Sequence, residues 1–251
     1  MTLPPPQISF EFFPPKAGPA EASFWPALER LSALQPGFVS LTYGASGSDR
    51  SRSERLLPKL VAKAGSPVAA HITAVGASRD EVDQKVAGWA EAGIDRLVAL
   101  RGDAPRMGEA FQAHPEGYSN AAELVAGLRR LGNFDISVGC YPESHPDSAS
   151  SAADLENLKR KEDAGANRAI SQYFFEAETF LRFRDRARRA GITLPLVPGI
   201  MLIPLEMFFD DLNRLGSLCN GLVVAAEAAQ HLYTQASRLV IGRVHFTGSF
   251  E

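Results

Sequence analysis

The residues most able to do chemistry are polar groups set into apolar runs. Ser9-Phe10-Glu11-Phe12-Phe13 places one carboxylate among three phenylalanines. Burial there favours the protonated form, which suits a carboxyl group to deliver a proton. The alternative is a carboxylate paired with a structural arginine. Asp103 closes the run Ala99-Leu100-Arg101-Gly102-Asp103. Gly102 lets backbone approach a ligand closely, while Arg101 and Asp103 also make an ordinary salt bridge. Gln172 offers a neutral donor and acceptor to an amide-like ring edge, or sits as a satisfied core group. Asn157 and Lys161 are spaced i and i+4 and share a helix face. With Asp154 and Arg160 they can hold a sugar-alcohol chain or a phosphate, although such a run ordinarily means a solvated helix face.

Those residues need elements to hold them, and the chain alternates short apolar runs with longer amphipathic ones. Strands are predicted at 7–13, 38–44, 68–76, 96–103, 135–143, 168–175, 194–202 and 243–250. Between them, apolar positions at helical spacing predict helices at 19–34, 51–64, 79–92, 120–131, 151–164 and 177–190, then a long helical stretch from 204 to 236. Gly37, Gly65, Gly93, Gly165 and Gly191 punctuate the segments. Strand–helix alternation implies parallel strands with right-handed crossovers, and eight such units close into a barrel. The expectation is an α/β chain with one TIM-type (β/α)8 barrel domain over 1–251, its closing helix missing after the last strand. In such a barrel the active site lies at the carboxyl ends of the strands. The polar residues there are Glu11, Thr42, Tyr43, His71, Thr73, Arg101, Asp103, Tyr141, Glu143, His145 and Gln172.

Composition narrows the class. Apolar residues make up 45% and charged residues 22% of 251, the balance of a globular chain, and the net charge of -3 does not favour nucleic acid or an anionic membrane. Cys140 and Cys219 lie in apolar settings and read as buried structural thiols rather than a disulfide framework. No basic-then-apolar leader opens the sequence, and no run reaches roughly 18 apolar residues, so a cytoplasmic protein without a membrane span is expected. The five histidines show no metal-ligand spacing, so no metal is expected. Neither a G-x-G-x-x-G turn after a strand, nor a Walker loop, nor a G-x-S-x-G elbow is present, which removes a Rossmann site and triad hydrolysis.

Seven stretches carry a resemblance: SFEFFPPK (9–16), FVSLTYGA (38–45), AAHITAVG (69–76), LVALRGDAP (97–105), DISVGCYPESHP (135–146), ADLENLKRKEDAGANRAISQYFF (153–175) and FLRFRDRARRAGI (180–192). In order and spacing the sequence resembles the methylenetetrahydrofolate reductase family over about its first 200 residues. The resemblance implies a barrel binding FAD that reduces 5,10-methylenetetrahydrofolate to 5-methyltetrahydrofolate in one-carbon metabolism. NADH, or less often NADPH, supplies the hydride through the flavin in a ping-pong cycle. The family's flavin contacts fall on Thr42, His71, Leu100, Arg101, Gly102, Asp103, Tyr118, Tyr141, His145, Asp154, Asn157, Arg160 and Lys161, with Gly139 where relatives often carry alanine. The family's general acid maps to Glu11, its aspartate near flavin and pterin to Asp103, and its pterin-binding glutamine to Gln172.

After Ile200 the match decays. Leu212 falls where some relatives have a phenylalanine that contacts nucleotide and folate. Relatives end in a different final strand followed by a helix, so the seam between first and last strands is expected to be exposed or covered by a second copy in a homo-oligomer. Two other functions stay open on sequence alone: a flavin-independent reductase taking hydride directly from NADH, and a non-catalytic folate-binding barrel.

Overall fold

Why the strands form is plain from their faces. In β1 (Gln7–Phe12) and β2 (Phe38–Leu41), alternate residues point to opposite sides, and both sides are buried. Phe10, Phe12 and Val39 meet the helices, while Phe38 turns inward. The computed structural model describes residues 7–43, 50–103 and 111–200, and the backbone of 241–247. Next come β3 (Val68–Thr73), β4 (Arg96–Leu100), β5 (Asp135–Cys140), β6 (Arg168–Ser171) and β7 (Leu196–Val197), each paired parallel to the one before. Six helices connect these seven parallel strands: α1 (Pro19–Ser32), α2 (Arg50–Lys63), α3 (Arg79–Glu91), α4 (Ala121–Leu131), α5 (Ser151–Asp163) and α6 (Ala177–Arg189).

Local chemistry starts and stops the helices where the sequence indicates. Ser78 and Glu81 form a reciprocal capping box on α3, and Asn120 and Ser150 accept the Glu123 and Ala153 amides at the starts of α4 and α5. Gly93 ends α3 with φ +85°, a left-handed conformation that costs a side-chain-bearing residue about 1 kcal/mol.

The sheet curls, and the core divides accordingly. One apolar cluster fills the space between sheet and helices, with Leu28, Leu56, Leu60, Leu97, Leu124 and Ile136 almost wholly buried. A second, made by Phe38, Ala69, Val98, Ile170 and Val197, plugs the concave side. Following the two-residue period outward from that plug brings Glu11, Thr42, His71, Thr73 and Gln172 toward the carboxyl ends on the same side. The result is a partial (β/α) barrel: an apolar base below a polar layer.

Two features differ from the sequence expectation. The seventh strand is broken at Pro198, which has no N–H for the ladder, into β7 and β8 (Gly199–Ile200). The last strand, β9 (Ile241–Thr247), is not the eighth parallel strand. It runs antiparallel to both β1 and β8, with Glu11 opposite Arg243 and Gly199 opposite His245 in register. Alternating apolar character identifies a strand but carries no direction, which depends on how the connection enters. That connection, with the predicted helical stretch 204–236, lies outside the described residues. β9 is hydrogen-bonded on both edges, between β1 and β8, and so extends the sheet beyond β1.

Candidate active site

At the carboxyl ends of the strands the curl opens into a cavity of about 1030 Å³. Its floor is apolar, with Val98, Ala99, Leu100, Val138 and Ile170 among the lining residues, and its walls carry the polar groups. Such a volume lies at the upper end of the roughly 300–1,000 Å³ of small-molecule pockets, enough for a large organic ligand.

The inner wall is built by β1 to β3. Glu11 is 6% exposed, with its Oε2 3.6 Å from Nε2 of His71, itself 4% exposed. Thr42, just past the end of β2, and Thr73, two residues beyond His71 in β3, flank them, also buried. Beyond Thr42, the Tyr43 hydroxyl donates to Glu54 (2.6 Å) and accepts from Lys85 (2.6 Å), and Glu54 and Lys85 are themselves ion-paired. Burial and the bond to Glu54 raise the Tyr43 pKa above its ordinary value, so the phenol stays neutral. Arg50, at the start of α2, reaches the Val75 carbonyl (2.8 Å) and lies over the Tyr43 ring.

The opposite wall follows β4 and β5. Leu100, Arg101, Gly102 and Asp103 all line the cavity, and Asp103 is exposed to it. Gly102 sits at φ +86°, where an added Cβ would fall 2.5 Å from Val75 Cγ1, so the backbone comes closer than any other residue would allow. Arg101 donates to Asp147 (2.7 Å) and lies over the Phe111 ring, and the arginine holds the Asp147 carboxyl below the usual range. After β5, Tyr141 and His145 meet edge to face at 4.6 Å between centroids, and the His145 amide donates to Asp154 (2.8 Å). Along α5, Asp154, Asn157, Arg160 and Lys161 present one side to the cavity.

Lys161 is the sharpest electrostatic feature. It is 6% exposed, and its ammonium donates to a neutral group, the Gly139 carbonyl (2.8 Å). Burial pushes its pKa below the usual lysine value, with Asp154 acting in the other direction. Beside it Cys140 is a free, buried thiol whose pKa burial raises to about 12, which makes it a poor nucleophile. Among the described residues no group of His, Cys, Asp and Glu is arranged to hold a metal, and no helix is long and apolar enough to cross a membrane.

The cavity therefore gathers Glu11, Asp103 and Gln172 with the whole expected cofactor set except Tyr118. The Tyr118 hydroxyl instead donates to Asp83 (2.7 Å), and its ring packs between α3 and α4 against Gly127. Its neighbours Ser119 and Asn120 do line the cavity. Leu212 lies outside the described residues. Arg50 and Asp147 were missed by sequence reasoning: one looks like a helix-start cation and the other like a loop acid, and only the fold brings them to the rim.

The family model described as methylenetetrahydrofolate reductase matches residues 5–236. The chain belongs to that family. Among its methylenetetrahydrofolate reductase relatives, the 5,10-methylenetetrahydrofolate reductase of Pectobacterium carotovorum subsp. carotovorum is 45% identical over 85% of this chain and 68% of its own length. That of Salmonella typhimurium is 47% identical over 77% of this chain and 64% of its own length. The chain thus spans about two thirds of the length of the reductases it matches. Among solved structures, phosphonopyruvate hydrolase superposes with a TM-score of 0.55 over 90% of this chain and 82% of that one, at 13% identity, a likeness of fold alone.

Proposed function

We propose that this methylenetetrahydrofolate reductase family member is an FAD-dependent enzyme that reduces 5,10-methylenetetrahydrofolate to 5-methyltetrahydrofolate with NADH or NADPH as donor. The observation that carries the reading is the convergence, in one cavity, of a buried carboxyl, an exposed carboxylate and a glutamine with a buried lysine and Arg160. The frame is read as a TIM-type barrel whose eighth position is taken by the antiparallel β9.

The residues suit the cofactor on physical grounds. Leu100, Gly102 and Gly139 leave an open wall for a flat ring: a Cβ on Gly139 would meet only Leu100, at 3.5 Å. Buried Lys161, short of a charged hydrogen-bond partner, suits the anionic end, with Arg160 beside it. Asn157 and Asp154 offer the side-chain groups that a polyol needs. The chemistry a bound flavin supplies is hydride acceptance from the nicotinamide and hydride donation to the folate one-carbon unit.

The chain's own residues do the rest. Glu11, held in a nearly dry wall, delivers a proton to the folate ring nitrogen whose bond to the one-carbon unit must break. Asp103, exposed at the mouth, places negative charge against the cation that this opening creates. Gln172 offers a paired donor and acceptor to the pterin edge. The apolar floor excludes water from the reacting atoms. A cytoplasmic setting and self-association belong to the same reading, tested by fractionation and by light scattering.

The test separates the two half-reactions. The purified protein is expected to show flavin absorbance that bleaches when NADH is added without oxygen. Glu11→Gln is expected to keep that bleaching and to lose folate reduction by about 100-fold or more, the usual size of a general-acid contribution. A folded, colourless protein that free FAD does not restore would remove the flavin reading. Glu11→Gln with undiminished folate reduction would remove the general-acid assignment.

A further inference from the structure

Behind Glu11 lies an arrangement that this reading leaves unused. Ser40 is completely buried in the middle of β2 and stands directly opposite Glu11 in the β1–β2 register. Its hydroxyl lies 3.2 Å from Nε2 of His71. The same nitrogen lies 3.6 Å from Oε2 of Glu11, in contact but beyond hydrogen-bond length. Glu11 and His71 line the cavity whereas Ser40 does not, so the hydroxyl sits behind the imidazole, away from any ligand.

A neutral imidazole carries one N–H, on one nitrogen or the other, and the partner of a nitrogen decides which. Nε2 faces a hydroxyl at bonding distance and a carboxyl just outside it. We infer that Ser40 is a positioning residue for proton delivery: it donates its hydrogen to Nε2 of His71, keeps the imidazole proton on Nδ1, and so leaves no N–H on Nε2 to aim at Glu11. An N–H aimed at that carboxyl would favour the ionised form. Without that donor the protonated form is favoured, which a general acid needs at the start of each turnover. All three side chains are almost wholly enclosed, so the imidazole has little room to turn and settle the matter otherwise. The role of His71 thus extends from lining the cavity to setting the state of its neighbour. The inference rests on the general-acid role proposed for Glu11.

The direct test is the nitrogen-15 spectrum of the imidazoles in the flavin-loaded protein at neutral pH, with His71 assigned by comparison with His71→Gln. The expected result is an acceptor-type Nε2 and an N–H-type Nδ1. An N–H-type Nε2 in the wild-type protein overturns the proposal, whatever the variants do. In Ser40→Ala the Nε2 signal is expected to move toward the N–H type. The folate half-reaction should then slow about tenfold more than flavin reduction by NADH, a fraction of a full general-acid effect. Equal slowing of both half-reactions would mean that Ser40 only supports the fold, and no slowing of either would mean that the tautomer does not matter; each overturns the proposal. Failure of the underlying reading looks different: the wild-type protein then binds no flavin or reduces no folate, while the spectrum still reports the tautomer.

Discussion

Replacing Lys161 by Met tests the link between burial and cofactor binding. Methionine keeps most of the stem that packs in the wall but removes the charge and the hydrogen bond to the Gly139 carbonyl (2.8 Å). In the cofactor-free protein two effects oppose each other. The chain is relieved of an ammonium held at 6% exposure, and it loses one bond to a neutral carbonyl. Little net change in Tm at neutral pH is expected. Toward an anionic cofactor the change is one-sided: a hydrogen bond to a charged group contributes about 1.5–3 kcal/mol, which is roughly 10- to 100-fold in Kd. Quenching of flavin fluorescence on titrating apoprotein measures that ratio. The pH dependence supplies an independent sign. The Lys161 pKa is lowered in the folded protein, so the unfolded chain holds the proton to higher pH than the folded one does. The stability this group contributes is present above the ordinary lysine value of 10.5 and is lost as pH falls through the lower folded value. Wild type should therefore gain stability relative to Lys161→Met as pH rises through that interval. An FAD affinity within twofold of wild type would refute the reasoning, because the buried cation would then have no anionic partner in the cavity.

Two further substitutions probe the surroundings. Gly127→Ala would place a Cβ 2.2 Å from the Tyr118 hydroxyl, which donates to Asp83, so a loss of about 1–3 kcal/mol is expected in thermal unfolding. Flavin affinity should change little if the Tyr118 hydroxyl serves only the α3–α4 packing; a collapse of affinity at nearly unchanged Tm would mark Tyr118 as a cofactor contact. At Glu54 burial opposes ionisation, but the bonds from Lys85 and Tyr43 outweigh it and lower the pKa. That stabilisation is present above the ordinary value of 4.5 and is lost as pH falls through the folded value, so Glu54→Gln should flatten the acid limb of a stability–pH curve.

The frame was legible because its signals are local. Short apolar runs marked the strands, and Gly37, Gly65, Gly93, Gly165 and Gly191 marked where segments stop, while the caps Ser78, Asn120 and Ser150 emerged only with the structure. Strand ends were less legible: β4 stops at Leu100 rather than 103 and β6 at Ser171 rather than 175. Residues such as Asp103 and Gln172 continue an apolar run in sequence, but there the backbone leaves the ladder to shape the cavity. Glu11 and His71 stood out as polar residues among apolar ones. Lys161 was picked out by its spacing from Asn157, but a Lys-Arg-Lys run usually marks solvent, and only packing reveals that the last lysine turns inward. Tyr118 is the one expected cofactor contact whose side chain is not in the cavity lining: its neighbours Ser119 and Asn120 line the cavity while its own hydroxyl donates to Asp83 on α3. The direction of β9 is non-local and had no signature in its residues.

That last strand sets an order of events in biosynthesis. The edge of β1 is completed by residues about 230 positions later in the chain. At ribosomal speeds of about 5–20 residues per second, the partner emerges some 10–50 seconds after β1 does. Throughout that interval Gln7–Phe12 presents an open row of amides and carbonyls flanked by Phe10 and Phe12, the kind of edge that recruits foreign strands. Contacts of such long sequence separation also form slowly, since the loop entropy is lost before the pairing repays it. The edge of β1 stays open to foreign strands until β9 reaches it. A circular permutant that joins β9 directly to β1 would make the slowest pairing in the molecule into a local hairpin.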